Sequence, residues 1–216
     1  ATAIELEHKF AKYIWLQEQH GFSFNVEAGQ KLYSQLAGRR QELLQELQKV
    51  FPVWTKDLGT WTPKRDNKTK GYIAGVAINR YEDVTFNPAS RDHIADRLIT
   101  LKGWKPKEFT NEGKPKVDET VLSKLKYPEA KLLSEYLMIT KRIGQLAEGN
   151  NAWLKLEKKG KIYGSVNTCG TVTGRCSHQN PNVSQVPATG LPYGLECRSL
   201  FTADDGYNLL GVDVSV

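Results

Sequence analysis

Apolar residues recur at helical spacing in two long segments and at strand spacing only towards the C-terminal end of the chain. Leu6, Phe10, Tyr13 and Ile14 mark a helix over residues 3–20, and Gly21 stands where it would end. Asn25 is placed to cap a second helix running to about Phe51, with Leu32, Leu36, Leu43, Leu47 and Val50 on one stripe. At the rise of an α-helix, this arm reaches roughly 35–40 Å. Residues 52–85 break the period. Pro52, Gly59, Pro63, Gly71 and Gly75 punctuate a polar, basic stretch holding Trp54, Trp61 and Tyr72, which reads as an insertion or extended loop, mobile in isolation. Ser90 then caps a short helix begun by Ile94 and Leu98, and a lysine-rich connector follows over 102–119. A second long helix spans about Glu129 to Glu148, with Leu133, Tyr136, Leu137, Thr140, Ile143 and Ala147 inward and Gly149 at its end. The two long helices are expected to pack antiparallel. After Asn150 the pattern changes. Residues 161–167, KIYGSVN, alternate as a strand does, residues 168–194 form a loop, and YNLLGVDVSV at 207–216 reads as an apolar strand broken by Asp213. The fold class expected is therefore α+β, helical to about residue 150 and β-containing beyond it.

Charge sharpens this outline. The chain of 216 residues carries a formal charge of +6, with a pI of about 9.1. Its cations cluster in segments that read as loops: Lys56, Lys64, Arg65, Lys68 and Lys70; Lys102, Lys105, Lys107, Lys114 and Lys116; Lys155, Lys158, Lys159 and Lys161. Such clusters are either solvated surface or a phosphate-tracking face. No apolar run approaches the roughly 20 residues that span a bilayer, and ATAIELEHKF has no leader pattern. Three cysteines, Cys169, Cys176 and Cys197, have no disulfide-scaffold spacing. Reduced thiols in the cytoplasm, with no membrane partner, are the expectation.

Two places invite chemistry. TGRCSHQNPNVSQVP, residues 173–187, holds Arg175, Ser177, His178, Gln179, Asn180, Asn182, Ser184 and Gln185 without apolar periodicity. Such donors and acceptors suit phosphate oxygens and minor-groove edges, and equally a loop of turn-forming residues. Asp213 sits in an apolar strand, where an ionised carboxylate needs a partner or a metal ion; a turn-capping aspartate is the other reading. Cys169, Cys176, His178 and Cys197 lack the paired spacing of a zinc site.

These residues also carry a resemblance. TGRCSHQNPNVSQVP resembles the TGR…PN…Q.(I/V)P motif of family A DNA polymerases, GVDVSV at 211–216 resembles the start of their motif A, and FNPASRDHI at 86–94 resembles their FN..S thumb signature. Gly21-Phe22, EYLMITKRIGQLAEG at 135–149 and GKIYGSVN at 160–167 are especially similar to phage replicative members. The resemblance implies part of a right-hand polymerase: a thumb over 1–150 with a basic insertion at about 52–85, and an incomplete palm over 151–216. It implies that Arg175 contacts the minor groove at the primer terminus and that Asn182 and Gln185 line the same duplex. His178, Lys141 and Arg142 join these as expected DNA-binding residues. Asp213 and the backbone carbonyl of Val214 would hold the two magnesium ions of nucleotidyl transfer in phage DNA replication. The implied partners are primer–template DNA, deoxynucleoside triphosphates in the complete enzyme, and a polypeptide supplying the rest of palm and fingers. The sequence stops at Val216, so this chain alone is expected not to polymerise. One phage member recruits thioredoxin through a longer thumb insertion; the shorter segment 52–85 is expected to hold a processivity factor at most, and not thioredoxin. A non-catalytic duplex-binding module is the alternative function.

Overall fold

The computed structural model describes residues 2–211. Asp213 and Val214, and with them the metal-binding expectation, lie outside the described residues. Helix α1 (Thr2–His20) ends at Gly21, whose φ of 67° only glycine adopts without strain and whose N–H returns to the Gln17 carbonyl. The apolar residues of α1 are not buried: Ile4, Leu6, Tyr13 and Trp15 all face outward among the described residues. Strand β1 (Phe22–Phe24) leads to Asn25, whose side-chain oxygen accepts the Ala28 N–H at 2.9 Å and so starts α2 (Val26–Val50) where the sequence places it.

Residues 52–85 correct the expectation of an extended loop. They form an antiparallel ribbon, β2 (Trp54–Trp61) against β3 (Ile78–Val84), with Trp54 opposite Val84 and Trp61 opposite Ile78. Threonine and aromatic residues give the strands their β preference. Across them Thr55 donates to Asp83 at 2.7 Å and Thr60 to Asn79 at 2.8 Å. Gly59, which argued for a loop, is absorbed in a register shift between Asp57 and Thr60.

Ser90 caps α3 (Arg91–Lys102), accepting the His93 N–H. Asp118 caps the single-turn α4 (Glu119–Ser123) in the same way. The second long helix, α5 (Pro128–Ile143), widens into a π turn over Gly144–Glu148, closed by the Gly149 N–H on the Gly144 carbonyl at 2.9 Å. Then come α6 (Trp153–Leu156), β4 (Lys161–Ile162), β5 (Ser165–Asn167), β6 (Ser177–Gln179), a 3₁₀ turn over Val183–Gln185, α7 (Gly194–Ser199) and β7 (Phe201–Thr202). Residues 207–211, the described part of the expected apolar strand, form no strand, and Tyr207, Leu209 and Leu210 are exposed. No described strand pairs with them, and the Tyr207 N–H donates to the Asp204 carbonyl at 3.0 Å.

Contacts divide the chain into two compact units, residues 1–39 with 139–216, and residues 40–138. Both long helices run from one unit into the other, so this division interleaves the sequence instead of following the change of pattern near residue 150. In the first unit β1 is the middle strand of an antiparallel sheet, β4-β1-β7. Phe24 and Trp153 meet Phe201 edge-on at 5.3 and 5.2 Å, over a core including Leu36, Ile143, Leu146 and Ile162. In the second unit Phe51 and Phe86 stack at 4.5 Å beside buried Leu43, Leu47, Ile94, Leu98 and Leu133.

Candidate nucleic-acid interface

The motif at 173–187 folds as a hairpin and a held loop, both within the first unit. Strands β5 and β6 pair with Val166 opposite His178. At the hairpin's end, the Thr171 hydroxyl accepts the Arg175 N–H at 2.9 Å and the Arg175 carbonyl accepts the Gly170 N–H. A Cβ at Gly170 would run into the Ser177 side chain, with the Ser177 nitrogen 3.0 Å away, so this turn closes only around glycine. Asn182 then caps the 3₁₀ turn, its side-chain oxygen accepting from the Ser184 N–H at 3.1 Å and hydroxyl at 2.7 Å.

Three side chains hold that turn and the loop beyond it by their carbonyl oxygens. Gln145 donates to the Gln185 carbonyl at 3.3 Å, Arg198 to that of Pro187 at 2.8 Å, and Arg142 to that of Pro192 at 3.3 Å. Arg142 also donates to the Gln145 amide oxygen at 3.3 Å and is only 7% exposed. Its guanidinium is engaged in positioning the loop, by the Pro192 carbonyl and the Gln145 amide. A buried guanidinium needs such acceptors, because leaving it unpaired costs several kcal/mol, on the order of 3–5.

The result is a cleft of about 370 Å³. The end of α5 and its π turn supply Lys141, Gly144 and Gln145; Asn151 and Trp153 follow; the motif supplies His178, Gln179, Asn180, Asn182 and Gln185. Among the described residues the lining contains one cation, five amide side chains besides Gln145, and no carboxylate. Lys141 is exposed and has no ion pair among the described residues. The Nδ1 atom of His178 is buried without a hydrogen-bond partner. Such a lining offers donors to anions and matched amides to base edges, and repels nothing negatively charged.

The structure thus brings four expected residues together: Lys141, His178, Asn182 and Gln185. Arg175 is exposed at the hairpin turn and does not line the cleft. Sequence reading missed Gln145 as a cleft residue, although it lies one helical turn beyond Lys141 and therefore on the same face. It also missed Asn151. Among the described residues no group of three or more His, Cys, Asp or Glu comes together, and Cys169, Cys176 and Cys197 are free thiols. Burial pushes the Cys197 thiol up to about 11.

Comparison with known proteins follows the same residues. The model of "DNA polymerase family A" matches residues 65–216. The DNA-directed DNA polymerase of Escherichia phage T7 is 38% identical over 94% of this chain, and that of Enterobacteria phage T3 is 39% identical over 94%. The chain spans 35% of the length of each. Both alignments run over 247 residues, more than the 216 of the chain, so these relatives carry segments this chain lacks. The solved POL domain of Pol1 from M. smegmatis, in complex with DNA primer-template and dNTP, matches 90% of this chain and 29% of its own. Its TM-score is 0.61 at 16% identity, a likeness of fold.

Proposed function

The chain belongs to DNA polymerase family A, and on that footing we propose that it forms the primer–template-holding part of a template-directed DNA polymerase, a thumb over 1–150 followed by the first part of a palm. The single observation that carries this reading is the cleft. A motif characteristic of the family folds so that His178, Asn182 and Gln185 converge with Lys141 and Gln145 on one surface, free of acids among the described residues. Amide side chains there would read minor-groove acceptors, and Lys141 would neutralise a phosphate. Arg142 would act from behind, by fixing Gln145 and the loop. Arg175, at the exposed hairpin turn, would meet the primer end.

The chain covers about a third of its phage relatives, 35%, so polymerisation is proposed for the complete enzyme. In it, Asp213 and the Val214 carbonyl would hold magnesium, since hard oxygen donors suit that ion. When bound, magnesium would stabilise charge on the transferring phosphoryl group. The chain's own contribution is to bind and orient the duplex so that the primer hydroxyl is presented in line.

Equilibrium binding to a fluorescent primer–template duplex tests the reading. Lys141→Ala should weaken binding and reduce the log–log salt slope by about 0.9, the value of one phosphate contact. Gln145→Ala and Asn182→Ala should weaken binding with an unchanged slope. Salt-independent affinity, or parent-like binding by the triple variant, would refute the assignment and leave a chain that merely shares the fold.

A further inference from the structure

We propose that the tip of the β2–β3 ribbon is a second phosphate-binding surface that grips duplex DNA directly, without a protein adaptor. The inference deepens the reading of the chain as a duplex-holding part of a polymerase and rests on it. Between Trp61 and Ile78 the chain carries Lys64, Arg65, Lys68 and Lys70 against one acid, Asp66: four cations less one anion, a net +3. Along the strands themselves Lys56 and Arg80 face Asp57, Glu82 and Asp83, a net −1. Positive charge is therefore gathered at the far end.

Pairing separates this cluster from the other lysine-rich segment of the same unit. In the connector, Lys102 pairs with Glu129 at 2.6 Å, Lys114 with Asp92 at 2.9 Å, and Lys116 with Glu108 at 3.2 Å and Asp118 at 3.4 Å. Three of the connector's five cations are thus paired, while Lys105 and Lys107 are exposed and form no ion pair among the described residues. Lys64, Arg65, Lys68 and Lys70 are all exposed and form no ion pair among the described residues. Asp66, the acid of the tip, accepts the Ala74 N–H at 2.7 Å and pairs with none of the four cations.

The tip is also built. Asn67 and Tyr72 exchange two backbone hydrogen bonds at 2.8 and 2.9 Å, Gly75 donates to the Pro63 carbonyl at 2.9 Å, and the Asn67 side chain accepts the Lys70 N–H at 3.0 Å. Trp61 meets Tyr72 edge-on at 5.6 Å with the Arg80 guanidinium over its ring. At the root, Trp54 lies against His93 at 5.3 Å and under the guanidinium of Arg97 at 4.0 Å. A strand pair of this length holds the tip roughly 25 Å from its root. Four unpaired cations on a pre-ordered loop match a polyanion and lose little entropy on binding one. Ile73 and Val76 are exposed at the tip, and Leu58, Trp61 and Tyr81 along the strands, so it is the unpaired charge of the tip that selects a polyanion as its occupant.

Lysine acetylation footprinting on the full chain, with and without a primer–template duplex, tests the arm without any substitution. Lys64, Lys68 and Lys70 should be protected several-fold by duplex, and Lys114 should not. In parallel, the Lys64→Gln/Arg65→Gln/Lys68→Gln/Lys70→Gln variant should bind duplex at least ten-fold more weakly near physiological salt. Its log–log salt slope should be shallower by about 0.9 for each phosphate released, and its unfolding temperature should match the parent's. Unprotected tip lysines with a parent-like slope would overturn the arm alone, leaving the tip as a protein-facing surface and the cleft assignment intact. Absence of duplex binding by the parent chain would overturn both.

Discussion

Arg142 and Lys141 are sequence neighbours with opposite fates, and the difference is measurable. Arg142 is buried against the Pro192 carbonyl and the Gln145 amide. Arg142→Ala should lower unfolding stability by about 2–4 kcal/mol, since it strands a buried acceptor and opens a gap. Lys141→Ala should change it by less than about 0.5 kcal/mol, as an exposed unpaired side chain does. Denaturant titration checks both, and equal losses would contradict the division of roles. The thiols make a second residue-level test. Cys197 is buried and its thiol is held neutral, with a pKa near 11, whereas Cys169 is exposed. Alkylation at mildly alkaline pH should label Cys169 promptly and Cys197 only after unfolding. Helix caps were legible from sequence: Asn25 and Ser90 each do what their position foretold. Which of two adjacent cations turns inward was not, because the carbonyls that receive Arg142 come from a loop 50 residues away.

Elements show the same boundary between local and distant causes. The β2–β3 ribbon was misread as loop because Pro and Gly punctuation outweighed Trp54, Thr55, Thr60 and Trp61, whose strand preference is expressed only through partners across the ribbon. Trp54→Ala should loosen its root, with a loss of about 1–2 kcal/mol for the stack on Arg97 beyond the lost packing; native-state hydrogen exchange across β2 would report it. The small sheet carries a pH signature. Asp204 takes hydrogen bonds from Lys161 and Ser23 and lies 3.2 Å from His20, and the Lys161 contact first, then Ser23, holds its carboxyl below the ordinary 3.8. A carboxylate with a lowered folded pKa stabilises fully above its unfolded value and loses that contribution as pH falls through the folded one. The thermal midpoint of the parent should therefore exceed that of Asp204→Asn at neutral pH and converge on it as pH falls below the ordinary carboxylate range. A constant gap across that range would show that the ion pair contributes nothing.

For the whole molecule, the sequence conveyed the family better than the packing. Three short motifs in the right order identified it, and the family model covers residues 65–216. The interleaving of the chain into units 1–39 with 139–216 and 40–138 was not legible, since it depends on two long helices each serving both. Nor was the fate of residues 207–211, whose apolar pattern asks for a strand that no described neighbour pairs with. In the role proposed above, this chain supplies the duplex-holding part, and the first metal-binding aspartate, of a family A polymerase. Primer extension by a chimera, in which this chain replaces the corresponding third of a phage relative, tests it most directly. The chimera should extend primers in a magnesium-dependent way, and not at all when it carries Asp213→Ala. Extension by the Asp213→Ala chimera at the parent rate would contradict it.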